Sequence, residues 1–185
     1  MKHLYLMRHG ETLFNVLKKI QGWCDSPLTD NGIQQAKEAG KKLEGIPFDH
    51  YYCSTAERAV DTLEIATNYQ VPYTRLKGLK ERYFSVFEGE SESLNPQGPY
   101  YDEIFPKYGG ETSDQVADRL YNTISALLDQ DDHQCILCVS HAGAIMTFSG
   151  RYMDMMKFRK EHGFPNCGIL HFTYEDGNFT FVEML

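Results

Sequence analysis

Short apolar runs alternate along this chain with longer stretches whose apolar positions return every three or four residues. Leu4-Tyr5-Leu6-Met7 is the first run, of the length and character of a strand buried on both faces. Tyr51-Tyr52-Cys53, Val71–Leu76 and Cys135-Ile136-Leu137-Cys138-Val139 read the same way. Between them lie helical periods. Thr29 is placed to N-cap a helix running to about Leu43, with Ile33, Ala36, Gly40 and Leu43 on one face. Ser54-Thr55-Ala56-Glu57 has the form of a capping box opening a helix with Ala59, Val60, Leu63 and Ala66 inward, and Thr112-x-x-Gln115 opens another with Val116, Leu120, Ile124 and Leu127. A further helix is expected from Ala142-Gly143, directly after the strand that ends at Val139. The segments around Gly168–Tyr174 and Phe179–Met184 straddle Asp176-Gly177-Asn178, a hairpin signal. This order predicts an α/β fold: a three-layer α/β/α sandwich with a mostly parallel central sheet and a C-terminal β-hairpin.

In such sheets ligands bind at the carboxyl ends of the strands. The first strand ends in Arg8-His9-Gly10, the strand at 135–139 runs into Ser140-His141, and Arg58 falls in the first turn of the helix after Cys53. A cation in the first turn opposes the helix dipole, so Arg58 calls for an anion close by. These junctions share one edge of a parallel sheet, which brings two imidazoles and two guanidiniums into reach of one pocket.

From Glu90 to Gly110 runs a Pro-, Gly- and Tyr-rich segment with a short helix expected from Tyr100 to Phe105. Loops of this length in compact domains are usually functional. Residues 1–185 are therefore read as one domain with a lid-like insertion around 90–110. Trp23, Tyr83, Tyr100, Tyr101 and Tyr108 suit core or lid packing, some of them on the leaving-group side of the pocket.

Composition narrows the class. A formal charge of −8 argues against nucleic-acid or anionic-membrane surfaces, which need clustered cations. No export signal or membrane-length apolar run is present, so the expected location is cytoplasmic. The five cysteines are then expected as free thiols. Cys135 and Cys138 have C-x-x-C spacing but sit in a buried strand without a second ligand pair.

Arg8-His9-Gly10-Glu11-Thr12 with Asn15, Ser54-x-x-x-Arg58-Ala59-x-x-Thr62, Leu79-x-Glu81 followed by Glu88-Gly89, and Ser140-His141 occur together in this order. The set, with Gln21-Gly22-Trp23-x-Asp25-x-Pro27-Leu28-Thr29, resembles the histidine phosphatase, or phosphoglycerate mutase-like, superfamily over nearly the whole chain. The resemblance implies that His9 is a nucleophile forming a phosphohistidine, with a carboxylate or a backbone carbonyl fixing its tautomer. It implies that Arg8, Asn15, Arg58 and a charged or hydrogen-bonding His141 hold the phosphoryl oxygens, and that Gln21 and Gly22 lie on the substrate side. Glu81 is similar to the family's general acid, with Glu88 its rival. No metal or cofactor is required, because the arginines supply the positive charge.

The activity implied is that of a metal-independent phosphomonoesterase acting on a small phosphorylated metabolite. The alternatives are phosphoglycerate mutase-type transfer and a non-catalytic phospho-ligand binding domain. The chain's end in a strand at Leu185 disfavours the mutase, whose relatives carry longer insertions and a C-terminal tail. Three positions depart from the family pattern: Ser85 where Gly is common, Phe87 where Trp is common, and Ala142 in place of a glycine after the second histidine. Of these, Ser85 is placed to tighten or re-aim the Glu81 loop.

Overall fold

The computed structural model describes residues 1–96 and 98–185, apart from the side chain of Pro99. In chain order its main elements are β1 (Lys2–Arg8), α1 (Leu13–Val16), α2 (Asp30–Leu43), β2 (His50–Ser54), α3 (Glu57–Ala66) and β3 (Thr74–Leu76). There follow α4 (Tyr101–Lys107), α5 (Ser113–Leu128), β4 (Cys135–Ser140), α6 (Ala142–Ser149), α7 (Met155–His162), β5 (Ile169–Glu175) and β6 (Asn178–Met184). The strands form one sheet in the order β3-β2-β4-β1-β5-β6. Pairings among β3, β2, β4 and β1 are parallel, and the hairpin β5–β6 joins β1 antiparallel. The expected mostly parallel sheet with a C-terminal hairpin is present.

Strand alternation separates two cores. Leu4, Leu6, Ile136 and Cys138 face α5 and α6, packing with Leu120, Ile124 and Phe148. Met7, Cys53, Leu137 and Val139 face α2 and α3, packing with Ala36, Ala59 and Leu63. Helices on both faces bury every residue of the central strand β4. Cys135 and Cys138 lie three positions apart on a strand, so their thiols point to opposite faces. All five cysteines are free.

Several expectations change in detail. The third strand begins at Thr74 rather than Val71, and α7 carries no clear apolar period in the sequence. The helix expected from Tyr100 to Phe105 is α4, which runs on to Lys107. It docks through buried Phe105 onto Phe84 and Phe87. The capping box at Thr112 forms as expected, with the Thr112 hydroxyl on the Gln115 amide and the Gln115 side chain on the Thr112 amide. The one at Ser54 does not form: Ala56 is the N-cap of α3 and gives no side-chain cap.

Register places the site. Arg8 of β1 lies opposite Ser140 of β4, and the His9 amide donates to the Ser140 carbonyl at 3.0 Å, so the two following histidines emerge side by side. The chain leaving β1 is pressed against α2. A Cβ on Gly10 would stand 2.7 Å from the Gly32 carbonyl oxygen, and one on Gly32 2.1 Å from the Glu11 carbonyl oxygen. Both positions need glycine for close backbone approach. Gly32→Ala is expected to lower stability by about 1–3 kcal/mol, the usual cost of overpacking. Urea unfolding measures it, and an unchanged midpoint would contradict so tight a contact.

Candidate active site

His9 is 4% exposed, and its Nδ1 lies 2.7 Å from the carbonyl oxygen of Gly10. A carbonyl only accepts, so Nδ1 carries the proton and Nε2 keeps its lone pair. Of the two groups expected to fix the tautomer, the backbone carbonyl does so. Burial, with Arg58 and Arg8 adding to it, holds the imidazole's pKa well below its ordinary value, and the Gly10 bond opposes them. His9 is thus uncharged at neutral pH.

Helix α3 pins the turn. Gly10 donates its amide to the Thr62 hydroxyl at 3.0 Å, and that hydroxyl donates to the Arg58 carbonyl. Asn166 and the Cys167 amide both donate to the His9 carbonyl.

Arg58 is 1% exposed. Its Nη1 donates to Asp25 Oδ1 and the Cys24 carbonyl, both at 2.9 Å, and its Nη2 to the Gly22 carbonyl at 2.8 Å. The anion that its place on α3 called for is Asp25. The second Asp25 oxygen accepts the Glu57 amide and so caps α3 where Ser54 does not. Arg58 Nε is buried without a partner. Arg8 donates Nη1 to the Phe164 carbonyl at 2.7 Å, and its Nε is likewise buried and free. Burial lowers the Arg8 pKa, and Glu81 acts against that.

His141 is fully buried, with its ring centroid 5.2 Å from that of His9. Its pKa too is held well below the ordinary value, first by burial and then by Arg58 and His9. Of the expected charged or hydrogen-bonding forms, the neutral hydrogen-bonding one is therefore present. Its Nε2 meets Ser54 Oγ at 2.8 Å, and its Nδ1 has no partner.

Glu81 is buried on the first turn of α6. Oε1 accepts the Arg82 and Ala144 amides, both at 2.7 Å, and Oε2 accepts the Gly143 amide at 2.9 Å. His141, the N-cap of α6, offers no side-chain cap, so Glu81 satisfies amides that would otherwise be orphaned. A Cβ on Gly143 would come within 2.7 Å of Glu81 Oε1. Glycine at 143 lets Glu81 come this close to the helix end, and Ala142 is accommodated.

Glu88 is spent elsewhere. It accepts the amides of Trp23, Cys24 and Phe84 at 2.8–3.1 Å and ties two loops together. Ser85 sits at φ +56°, which accounts for the glycine common there, and its hydroxyl donates to the Tyr108 carbonyl. Phe87 packs edge-on to Phe105 and Tyr108.

Asn15 Oδ1 accepts the Thr12 amide at 3.1 Å and an Asn166 amide proton, while the Asn15 NH₂ has no partner among the described residues. Gln21 is buried and donates to the Thr12 hydroxyl, leaving its own oxygen unpaired. Gly22, at φ +60°, gives its carbonyl to Arg58 and packs so tightly on Glu88 that a Cβ would overlap that carboxylate. Asp25, Asn166 and the Phe164 carbonyl carry structural parts that chain order alone does not reveal.

Among the described residues, one group has metal-ligand spacing: His50, Asp132 and His133. It lies at the amino ends of β2 and β4, away from His9, and His133 is already bonded to Asp132 and Tyr52. No helix among the described residues is long and apolar enough to cross a membrane.

Two uncharged imidazoles, a buried guanidinium and a half-buried one at the carboxyl edge of a parallel sheet define a site suited to phosphoryl chemistry. Residues 4–185 match the model of the histidine phosphatase superfamily, branch 1, and the chain belongs to that family. It is 31% identical to the adenosylcobalamin/alpha-ribazole phosphatase of Salmonella typhimurium, over 98% of this chain and 90% of that one. It is 33% identical to a 2,3-bisphosphoglycerate-dependent phosphoglycerate mutase of Latilactobacillus sakei, over 71% of this chain and 56% of the mutase. The structure of an Entamoeba histolytica phosphoserine phosphatase mutant with phosphoserine superposes with a TM-score of 0.82 at 30% identity, covering 100% of this chain and 96% of that one. The protein is thus an enzyme of a phosphatase and phosphoryl-transfer family.

Two predictions follow from the buried charges. Asp25→Ala leaves Arg58 a buried cation short of its anion and should cost about 3 kcal/mol in urea unfolding, the low end for a broken buried pair because Asp25 is 30% exposed. The second concerns pH. In the unfolded chain histidines take up protons near pH ~6.5, while folded His9 and His141 resist protonation. The unfolded state then binds more protons, so stability falls as pH drops below about 6.5, by up to ~1.4 kcal/mol per unit for each histidine. His141→Asn should flatten that slope, and an identical slope in the variant would count against the assignment.

Proposed function

We propose that this protein is a metal-independent phosphomonoesterase that hydrolyses a small phosphorylated metabolite through a phosphohistidine on His9. The observation that carries this reading is the Nδ1–H to Gly10 carbonyl bond, which leaves an unprotonated Nε2 beside two guanidiniums. In the first step Nε2 attacks phosphorus, the N–P bond forms and the P–O bond to the leaving group breaks. Glu81 gives its proton to the departing oxygen. In the second step Glu81 takes a proton from water, whose oxygen attacks phosphorus. The N–P bond breaks and inorganic phosphate leaves. Glu81 must loosen at least one of its bonds on α6 to serve in both directions.

Arg8 and Arg58, through nitrogens the protein leaves unpaired, hold the non-bridging oxygens with the Asn15 amide and His141. Gly22 and Gln21 line the same side. Acceleration of phosphate monoester hydrolysis reaches the order of 10²¹, and one oriented donor supplies about 3–4 kcal/mol, so several must act together. The segment at 90–110 is the candidate lid on the leaving-group side. The presence of His9, Glu81 and His141 supports catalysis over binding alone.

Wild type should release inorganic phosphate from phosphomonoesters with EDTA present, and His9→Ala should lower kcat by at least about 10³-fold. Acid-labile phosphate should be trapped on His9. Interconversion of 2- and 3-phosphoglycerate without phosphate release would favour the mutase. Tight binding of phosphorylated compounds without turnover would favour the binding domain.

A further inference from the structure

Ser54 stands where a capping box is expected, yet its hydroxyl does not cap α3. The hydroxyl is fully buried, accepts the Ala56 amide at 3.3 Å and faces His141 Nε2 at 2.8 Å. Its own hydrogen has one acceptor within reach among the described residues, and that is His141 Nε2. Either arrangement leaves one hydrogen without a protein partner, at a cost of about 1–3 kcal/mol: Nε2–H donating to Oγ strands the enclosed serine hydrogen, whereas Oγ–H donating to Nε2 leaves the Nδ1–H of a ring set against His9, where an acceptor entering the pocket can take it. The hydroxyl therefore donates, Nε2 accepts, and a neutral ring carries its proton on Nδ1.

That Nδ1 is buried and has no protein partner, in a ring set against His9. A buried orphan donor in a ring beside His9 calls for an acceptor from outside the protein. Asp25 caps α3 in place of Ser54, which leaves the serine hydroxyl free for His141.

We infer that Ser54 is a positioning residue that locks His141 in the Nδ1–H tautomer, making a neutral imidazole a preset donor to a non-bridging oxygen of the bound phosphoryl group. The inference rests on the phosphatase reading for the identity of that acceptor, but the tautomer itself does not.

The test begins with ¹⁵N NMR of the resting protein, with His141 assigned by the signals lost in His141→Asn. Wild type should show a protonated Nδ1 and an unprotonated Nε2. Ser54→Ala should show a tautomer mixture or the reverse, and Ser54→Thr should restore the wild-type pattern. A protonated Nε2 in wild type would overturn the inference. Inorganic phosphate then serves as the probe of the donor. It should shift the His141 Nδ1–H resonance, and its Kd should rise about three- to tenfold in Ser54→Ala, the worth of one neutral hydrogen bond, with recovery in Ser54→Thr. An unchanged Kd in folded Ser54→Ala would also overturn it. If the tautomer and phosphate results hold while wild type hydrolyses no monoester, the phosphatase reading fails and the role of Ser54 stands.

Discussion

A guanidinium that is almost wholly buried governs the rest of this site. Arg58 can be carried in the interior only if its charge is matched and most of its donors are met, and the loop at 22–25 matches the charge and accepts three hydrogen bonds from it. That loop is held from two sides. Its carbonyls at Gly22 and Cys24 turn toward Arg58, while its amides at Trp23 and Cys24 turn toward Glu88. A peptide unit has a donor on one edge and an acceptor on the other, so a cation and an anion on opposite sides fix its orientation. Gly22 is the hinge of this arrangement, since only a residue without Cβ fits against Glu88 at positive φ. Asp25 completes it by pairing with Arg58 and capping α3, which joins the loop to the helix that also pins Gly10 through Thr62.

The two carboxylates near the site are bonded alike and placed differently. Each accepts three backbone amides. Those of Glu88 come from two loops, so moving it would release the support of Arg58. Two of those on Glu81 come from the first turn of α6, directly after His141, and Arg8 is close enough for Glu81 to act on its charge. Moving Glu81 uncaps one helix end, whereas moving Glu88 releases the loop that carries Arg58. That difference supports Glu81 over Glu88 as the group that moves protons.

Much of this was legible in the sequence, because strand ends and helix starts are marked locally. The apolar runs before Arg8 and Ser140 fix which residues leave the sheet, and parallel pairing then brings His9 and His141 together. What could not be read is what depends on the third dimension. Asp25 is an ordinary loop acid until the fold sets it under Arg58. Helix α7 is mostly exposed and shows no clean apolar stripe, so its period carried no signal. Gly10 stands at the end of the first strand, but that α2 is what crosses it there depends on the fold. The failed capping box at Ser54 is the informative miss: a local rule is broken where a tertiary demand competes for the same hydroxyl.

The charge state of the pocket gives these details a common purpose. Burial keeps a proton off both imidazoles, and repulsion from Arg58 at each ring, with Arg8 at His9, adds to the effect. In the proposed mechanism this keeps His9 a free base before substrate arrives, when a protonated ring could not attack. A phosphoryl group entering with negative charge offsets the guanidiniums and removes that repulsion. Charge that then builds on the phosphoryl oxygen makes it a stronger acceptor, which strengthens the hydrogen bond from the neutral His141 Nδ1–H. His9 does not lose its nucleophile in exchange, because its Nδ1 proton is already committed to Gly10 and its Nε2 faces phosphorus. In the proposed mechanism the two arginines that help burial keep His9 unprotonated also bind the anion. Two histidines in one pocket can do different work because one is oriented by a backbone carbonyl and the other by a serine.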